Sequence, residues 1–192
     1  MKKLRKIAII GASGTGKTTI ASGLFYFLKT LGKKVELVPE LIKYKVYKNS
    51  DFKEDGFDIQ NTLEQKELEK TIFSAKDIEF IICEAPLCNG FFYSAFYNKK
   101  EEWPVLKKIA EKHINNYDLI IFVEHSRNVN DFEVFGRKED KKTSLKLEKF
   151  IKKKISDLNP KAPIIKINQG TNIQKIIYAI LDQKSYLSET EN

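Results

Sequence analysis

Eight residues, Gly11 to Thr18 in the run GASGTGKT, carry the densest chemistry in the chain. Gly11, Gly14 and Gly16 have no Cβ, so a backbone built from them can turn sharply and aim successive N–H groups at one anion. Lys17 and Thr18 complete the spacing G-x-x-x-x-G-K-[ST]. That spacing suits a triphosphate, with Lys17 at the β and γ groups and the Thr18 hydroxyl on Mg2+. Gly11, Ala12, Ser13, Gly14, Thr15, Gly16, Lys17 and Thr18 are therefore expected to hold the nucleotide. Thr19, next in line, is either a further contact or helix surface. A chance glycine turn is the bland alternative, and the complete pattern argues against it.

Phosphoryl transfer also needs an acceptor held in line, a metal-side carboxylate and positive charge for the transferring group. Two acids follow apolar runs directly and lie beside prolines: Glu40 after KKVELVP and Glu84 after IEFIIC. Glu40 is expected to act as general base toward an acceptor hydroxyl and Glu84 as the metal-side acid, and the two roles could be exchanged. Glu40 could equally be a helix N-terminal charge favoured by the dipole. Arginine is scarce: of 34 basic residues only Arg5, Arg127 and Arg137 are arginine. Two of these flank one glycine-bearing stretch without periodicity, which suits a lid whose planar, always-charged guanidinium groups meet phosphate. Two incidental surface cations are the alternative.

These side chains need a frame that brings them together. LRKIAII before the glycine loop reads as a buried parallel strand, and four more apolar runs, ending at Pro39, Cys83, Val123 and Ile167, share that character. Helical patterns alternate with them over Thr18 to Leu31, Asn61 to Lys76, Glu101 to Asn115, Ser144 to Leu158 and Asn172 to Leu181, with Gly32 as a stop signal. The pattern predicts an α/β P-loop NTPase, a doubly wound five-stranded parallel sheet with helices on both faces. Ligands of such a sheet lie past the carboxyl ends of its strands, so Glu40, Glu84 and the segment from Glu124 to Arg137 should all face one cleft. Gln60, Gln65 and Tyr93 are further candidates for the acceptor site, because planar amides and rings suit a flat heterocycle. Phe92 and Phe96 read as core. The loop Gln169 to Asn172 either borders adenine or caps the last helix.

The chain has 192 residues, 42% hydrophobic and 31% charged, values of a globular protein. The apolar stretch after MKKLRK stops at Gly11, too short for a secretory signal, and no run is long enough to span a membrane. A cytoplasmic protein without membrane association is expected. Cys83 and Cys88 lack metal-ligand spacing and read as core thiols. The net charge of +8 is spread over scattered lysines, a solvated surface more than a nucleic-acid face, although Lys146, Lys149 and Lys153 align on one helix.

GASGTGKT, VELVPE, FIICEAPL and FGRKED together resemble the small P-loop kinases. The resemblance is to the ribosylnicotinamide-kinase-like ATPases of bacteria and phages and, more distantly, to deoxyribonucleoside kinases. It implies ATP and Mg2+ as cofactors, an acid at Glu40 acting on the acceptor hydroxyl, an acid at Glu84 near the metal, and a lid arginine at Arg137. One departure stands out: deoxyribonucleoside kinases usually carry Arg directly after the strand-three acid, where this chain has Ala85. The resemblance further implies one kinase-like domain over residues 1–184, a lid at about 125–143 and a polar tail at 185–192. The expected activity is transfer of the ATP γ-phosphoryl to a hydroxyl of a nucleoside-like or nucleotide-like small molecule. A regulatory ATPase without small acceptor and a kinase of nucleic-acid ends or modified DNA bases are the alternatives. A GTPase would show N-K-x-D, and NKKE at Asn98 lacks the Asp. An AAA-type motor would show two acids at a strand end and an added helical domain, and neither is evident.

Overall fold

The computed structural model describes residues 5–48, 54–126, 139–168 and 170–182. Five strands, β1 (Arg5–Ile10), β2 (Val35–Val38), β3 (Phe80–Cys83), β4 (Leu119–Val123) and β5 (Ile164–Ile167), form one parallel sheet in the order β2-β3-β1-β4-β5. Strand β1 is central because it pairs on both sides, Ala8 with Cys83 and Ile10 with Phe122. Its continuous apolar run reflects burial on two faces.

Side chains alternate across the sheet and build two cores. Ile7 and Ile9 point to the face covered by α1 (Lys17–Thr30) and α7 (Ile173–Asp182), where Leu24, Leu28, Ile176 and Ile177 pack against them. Ala8 and Ile10 point to the other face, covered by α4 (Cys88–Phe96), α5 (Trp103–His113) and α6 (Lys141–Ser156), with Phe91, Phe92, Leu106, Leu147 and Ile151. Full burial of each such side chain stabilises the fold by about 1.5–3 kcal/mol. Helices thus lie on both faces, the doubly wound α/β arrangement that the alternation of patterns predicts.

Helix α1 stops where the sequence predicts. Gly32 takes a left-handed φ of 69°, its N–H donates to Lys29 O at 2.9 Å, and the Lys33 N–H donates to Leu28 O at 3.0 Å, a Schellman closure. Two helices go beyond the predicted set: α2 (Leu41–Tyr47), directly after Glu40, and α4. Helix α3 (Phe57–Phe73) begins four residues before the predicted Asn61, behind the left-handed Gly56 (φ 79°). Both cysteines are buried and free, and burial raises both thiols above their ordinary pKa. Phe92 is fully buried and Phe96 packs against the same core. No helix among the described residues is long and apolar enough to cross a membrane.

Candidate functional site

The glycine loop runs from the end of β1 into α1. Gly14 (φ 77°) and Gly16 (φ 90°) take left-handed conformations that a Cβ would strain, and Gly16 caps α1 without any side-chain hydrogen bond to the first turn. The first turn of α1 therefore keeps backbone N–H groups without a side-chain cap, at the positive end of the helix dipole. A Cβ on Gly11 would lie 2.6 Å from Val123 O and 2.8 Å from Thr15 Oγ1, so this position seats the loop against β4. Thr15 Oγ1 and Lys17 Nζ donate to Ala12 O at 3.0 and 2.9 Å. Ser13 Oγ is buried in the cavity wall, within reach of the Tyr93 hydroxyl. Left-handed glycines beside the buried Lys17 ammonium fit a phosphate.

Thr18, at the first turn of α1, donates its hydroxyl hydrogen bond to Glu84 Oε1, which follows β3 and is 4% exposed. This pair brings two oxygen donors together beside the loop. It fits Mg2+, which takes one or two protein oxygens and leaves its other positions to phosphate and water. Lys43 of α2 joins them: its ammonium donates to Thr18 Oγ1 and lies 3.3 Å from Glu84 Oε1. Thr19 is exposed on α1.

The loop is braced from the β4 side by contacts far apart in sequence. His125 Nε2 hydrogen-bonds Ser144 Oγ at 2.8 Å, and Ser144, fully buried in the first turn of α6, donates to Ser13 O. The His125 N–H donates to Glu148 Oε2 at 2.6 Å, and Lys152 pairs with both Glu148 and Glu124 at 2.9 Å. Burial lowers the His125 pKa, against the Glu148 charge. Arg127 and Arg137, and with them most of the expected lid, lie outside the described residues, as does the tail at 185–192.

Glu40 occupies the N-cap position of α2, yet its carboxylate makes no capping hydrogen bond. It faces a cavity of about 440 Å3 that also takes in Gly14, Gly16, Lys17 and Thr18. Burial raises the Glu40 pKa above the ordinary carboxylate value; the Lys17 cation opposes the shift and the Glu84 charge adds to it. Gln65 fixes the turn that presents Glu40: its Oε1 accepts from Leu41 N at 3.1 Å and its Nε2 donates to Pro39 O at 3.0 Å. Both ends of that amide are thus engaged with backbone. Gln60 is exposed, outside the cavity lining, and donates to Glu64. Tyr93 lines the cavity, as does Tyr97, whose hydroxyl donates to Glu139 at 2.8 Å. Asn172 Oδ1 accepts from Gln174 N at 2.9 Å at the start of α7, the capping alternative of the two readings.

Sequence reasoning missed Lys43, Asn61, Asn89 and the His125–Ser144 brace. The first three lie on helices whose start or existence was not legible. The brace reaches the loop through Ser144 and Ser13, which lie 131 positions apart in sequence.

A parallel sheet of this order, with the glycine loop after the central strand β1, Glu84 after β3 and Glu40 after β2, defines a P-loop nucleotide-binding fold. The chain belongs to the family described as an AAA domain (AAA_28), whose model matches residues 6–174. A single acid, Glu84, follows β3 here, without the two-acid strand end of an AAA-type motor. Among solved structures, deoxyadenosine kinase from M. mycoides with products dCMP and a flexible dCDP superposes with a TM-score of 0.60 at 18% identity, covering 93% of this chain and 97% of the other. The NadR protein in complex with NR gives a TM-score of 0.72 at 14% identity over 93% of this chain and 50% of that one. NadR with NAD and AMP-PNP gives 0.69, again at 14% identity. At these identities the likeness is one of fold. No curated protein sequence matches the chain.

Proposed function

We propose that the protein is an ATP- and Mg2+-dependent phosphotransferase that moves the γ-phosphoryl of ATP to a hydroxyl of a nucleoside-like or nucleotide-like small molecule. One observation carries this reading: the phosphate loop and Glu40 share a single cavity of about 440 Å3, within the size range of small-molecule sites. The neighbouring folds named above, crystallised with nucleotides, products or NR, support it.

In this reading the N–H groups of Gly14 and Gly16 and the Lys17 ammonium hold the β and γ phosphates. Thr18 and Glu84 hold Mg2+, which supplies charge neutralisation to the phosphate oxygens. Glu40 accepts the proton of the acceptor hydroxyl, whose oxygen forms the new P–O bond as the bond between the γ-phosphorus and the β–γ bridging oxygen breaks, leaving ADP. A raised Glu40 pKa suits that task, because a base nearer neutrality receives the proton more readily. Arg127 and Arg137 are proposed to meet the transferring phosphoryl from the lid.

The test is ADP release measured over a panel of ribonucleosides, deoxyribonucleosides, nicotinamide riboside and nucleoside monophosphates, with wild type and Lys17→Ala. Stimulation by at least one acceptor, lost in Lys17→Ala, is expected. Hydrolysis that no acceptor stimulates would overturn the reading in favour of a regulatory ATPase.

A further inference from the structure

One wall of the cavity is built where α3 meets α4. Gly90 approaches Thr62 so closely that a Cβ at 90 would overlap the Thr62 hydroxyl and lie 3.3 Å from Thr62 Cβ. Asn61 and Asn89, each the sequence neighbour of one member of that contact, both line the cavity. Asn89 is 9% exposed, and neither its Oδ1 nor its Nδ2 has a hydrogen-bond partner. Asn61 Oδ1 is buried and unpartnered too. A buried amide left unpaired is destabilising, and native folds keep few of them. Two at one helix contact, in the wall of a cavity that reaches the phosphate loop, point to a ligand that completes them.

The chemistry of that ligand follows from the amide. Asn89 sets a donor beside an acceptor in one plane, so it pairs by two parallel hydrogen bonds with an edge that offers the reverse. Phosphate would offer acceptors alone and leave Oδ1 facing negative charge. The surroundings are mixed: Ile42, Val46 and Leu87 supply apolar wall and Tyr93 a ring, while the Lys99 ammonium is held by Asp58 at 2.9 Å and Glu102 at 3.6 Å. We infer that Asn89, with Asn61, determines acceptor specificity by pairing with a planar head group whose edge carries a hydrogen-bond donor next to an acceptor, as a carboxamide or an amino- or oxo-substituted nucleobase does. The inference rests on the kinase reading for the identity of the cavity's occupant. Gln65, the amide that sequence alone would choose for this task, is engaged with backbone at both ends.

The test uses matched ribosides that differ only in that edge, adenosine against purine riboside and nicotinamide riboside against nicotinic acid riboside. Each is measured for binding by calorimetry and for acceptor-dependent ADP release, in wild type, Asn61→Leu and Asn89→Leu. In at least one pair, wild type is expected to favour the edge-bearing member. Asn89→Leu should weaken that member by roughly 30-fold, the worth of two ordinary hydrogen bonds, and leave the other member within about threefold. Its melting temperature should hold or rise, because the substitution removes an unpaired buried amide; a residue with a merely structural role would lower it. If Asn89→Leu melts below wild type, Asn89→Ser supplies the same comparison. Phosphorylation with discrimination unchanged in the variants overturns the inference and leaves the kinase reading intact. Asn89-dependent binding without phosphorylation supports the inference and overturns the kinase reading. Absence of both binding and phosphorylation across the panel overturns the two together.

Discussion

The Lys43 ammonium lies 3.3 Å from the Glu84 carboxylate and shares the Thr18 hydroxyl with it, so a side-chain cation stands among the oxygens proposed for Mg2+. Ion and ammonium cannot occupy the same oxygens together. Lys43→Met should therefore tighten Mg2+ binding in the presence of ADP by roughly two- to fivefold, the worth of a partly exposed ion pair. Magnesium titration by calorimetry reads this directly. Weaker magnesium binding in the variant would mean that Lys43 assists the site instead of competing for it.

Glu40 offers a second test. Replacing a general base with its amide removes proton acceptance without removing bulk, so Glu40→Gln should lower kcat by about 10²- to 10⁴-fold. Wild-type kcat/KM should rise with pH as the Glu40 proton leaves, with a midpoint above the ordinary carboxylate value of 4.5 because burial raises this group. Glu40→Gln should lose that limb of the pH profile. A limb centred at or below pH 4.5 in wild type, or one that persists in Glu40→Gln, would remove Glu40 from the role.

Where α3 meets α4, the backbone of Gly90 abuts Thr62, and a Cβ at 90 would also lie 3.5 Å from Leu106 Cδ2. Gly90→Ala should destabilise the protein by about 1–3 kcal/mol through overpacking, despite the better helix propensity of alanine. Thr62→Ala should restore part of that loss. Urea denaturation of the two single variants and the double variant measures the coupling, and additive effects would count against direct contact.

Glu69 lies 4% exposed beneath Tyr117, whose hydroxyl is 2.9 and 3.0 Å from its two oxygens. Burial raises its pKa from 4.5 to about 7, against the pull of the Tyr117 hydrogen bond and the Lys6 charge. The folded protein keeps this proton over a range in which the unfolded chain releases it, so stability should fall as pH rises from 4.5 to 7 and level off beyond. The full effect is on the order of 3 kcal/mol. Glu69→Gln should flatten this segment of the stability curve, as read by denaturant titrations at stepped pH. An unchanged slope would show that other groups carry it.

Much of the glycine-loop side of the cavity was legible because its determinants are local. Glycine spacing, an apolar strand before it and a helix after it occupy adjacent residues, so the loop, its strand and the stop at Gly32 could be read directly. The walls built by α2, α3 and α4 were less legible, for physical reasons. Helix α2 is seven residues long, buries none of them and follows Pro39-Glu40, so it leaves no periodic signal. Helix α4 is apolar and buried along much of its length, and without a polar face its period is hidden. Asn89 sits inside that apolar run, where composition says only core. Gln65 looks like a ligand-reading amide because sequence cannot show that the backbone of Pro39 and Leu41 claims both its ends. The likeness to nucleoside kinases rests on four short motifs, and the five-stranded parallel sheet bears out the fold they imply.

Strand order has one further consequence. The glycine loop leaves the central strand β1 and Glu84 its neighbour β3, whereas Glu40 leaves β2, which among the described residues stands at the rim of the sheet and pairs with β3 alone. A rim strand can shift, and the short helix after it can be rebuilt, while the register of β1 with β3 and β4 stays as it is. The wall that carries Glu40 can thus be remodelled separately from the glycine loop, which keeps its seat on the innermost strand.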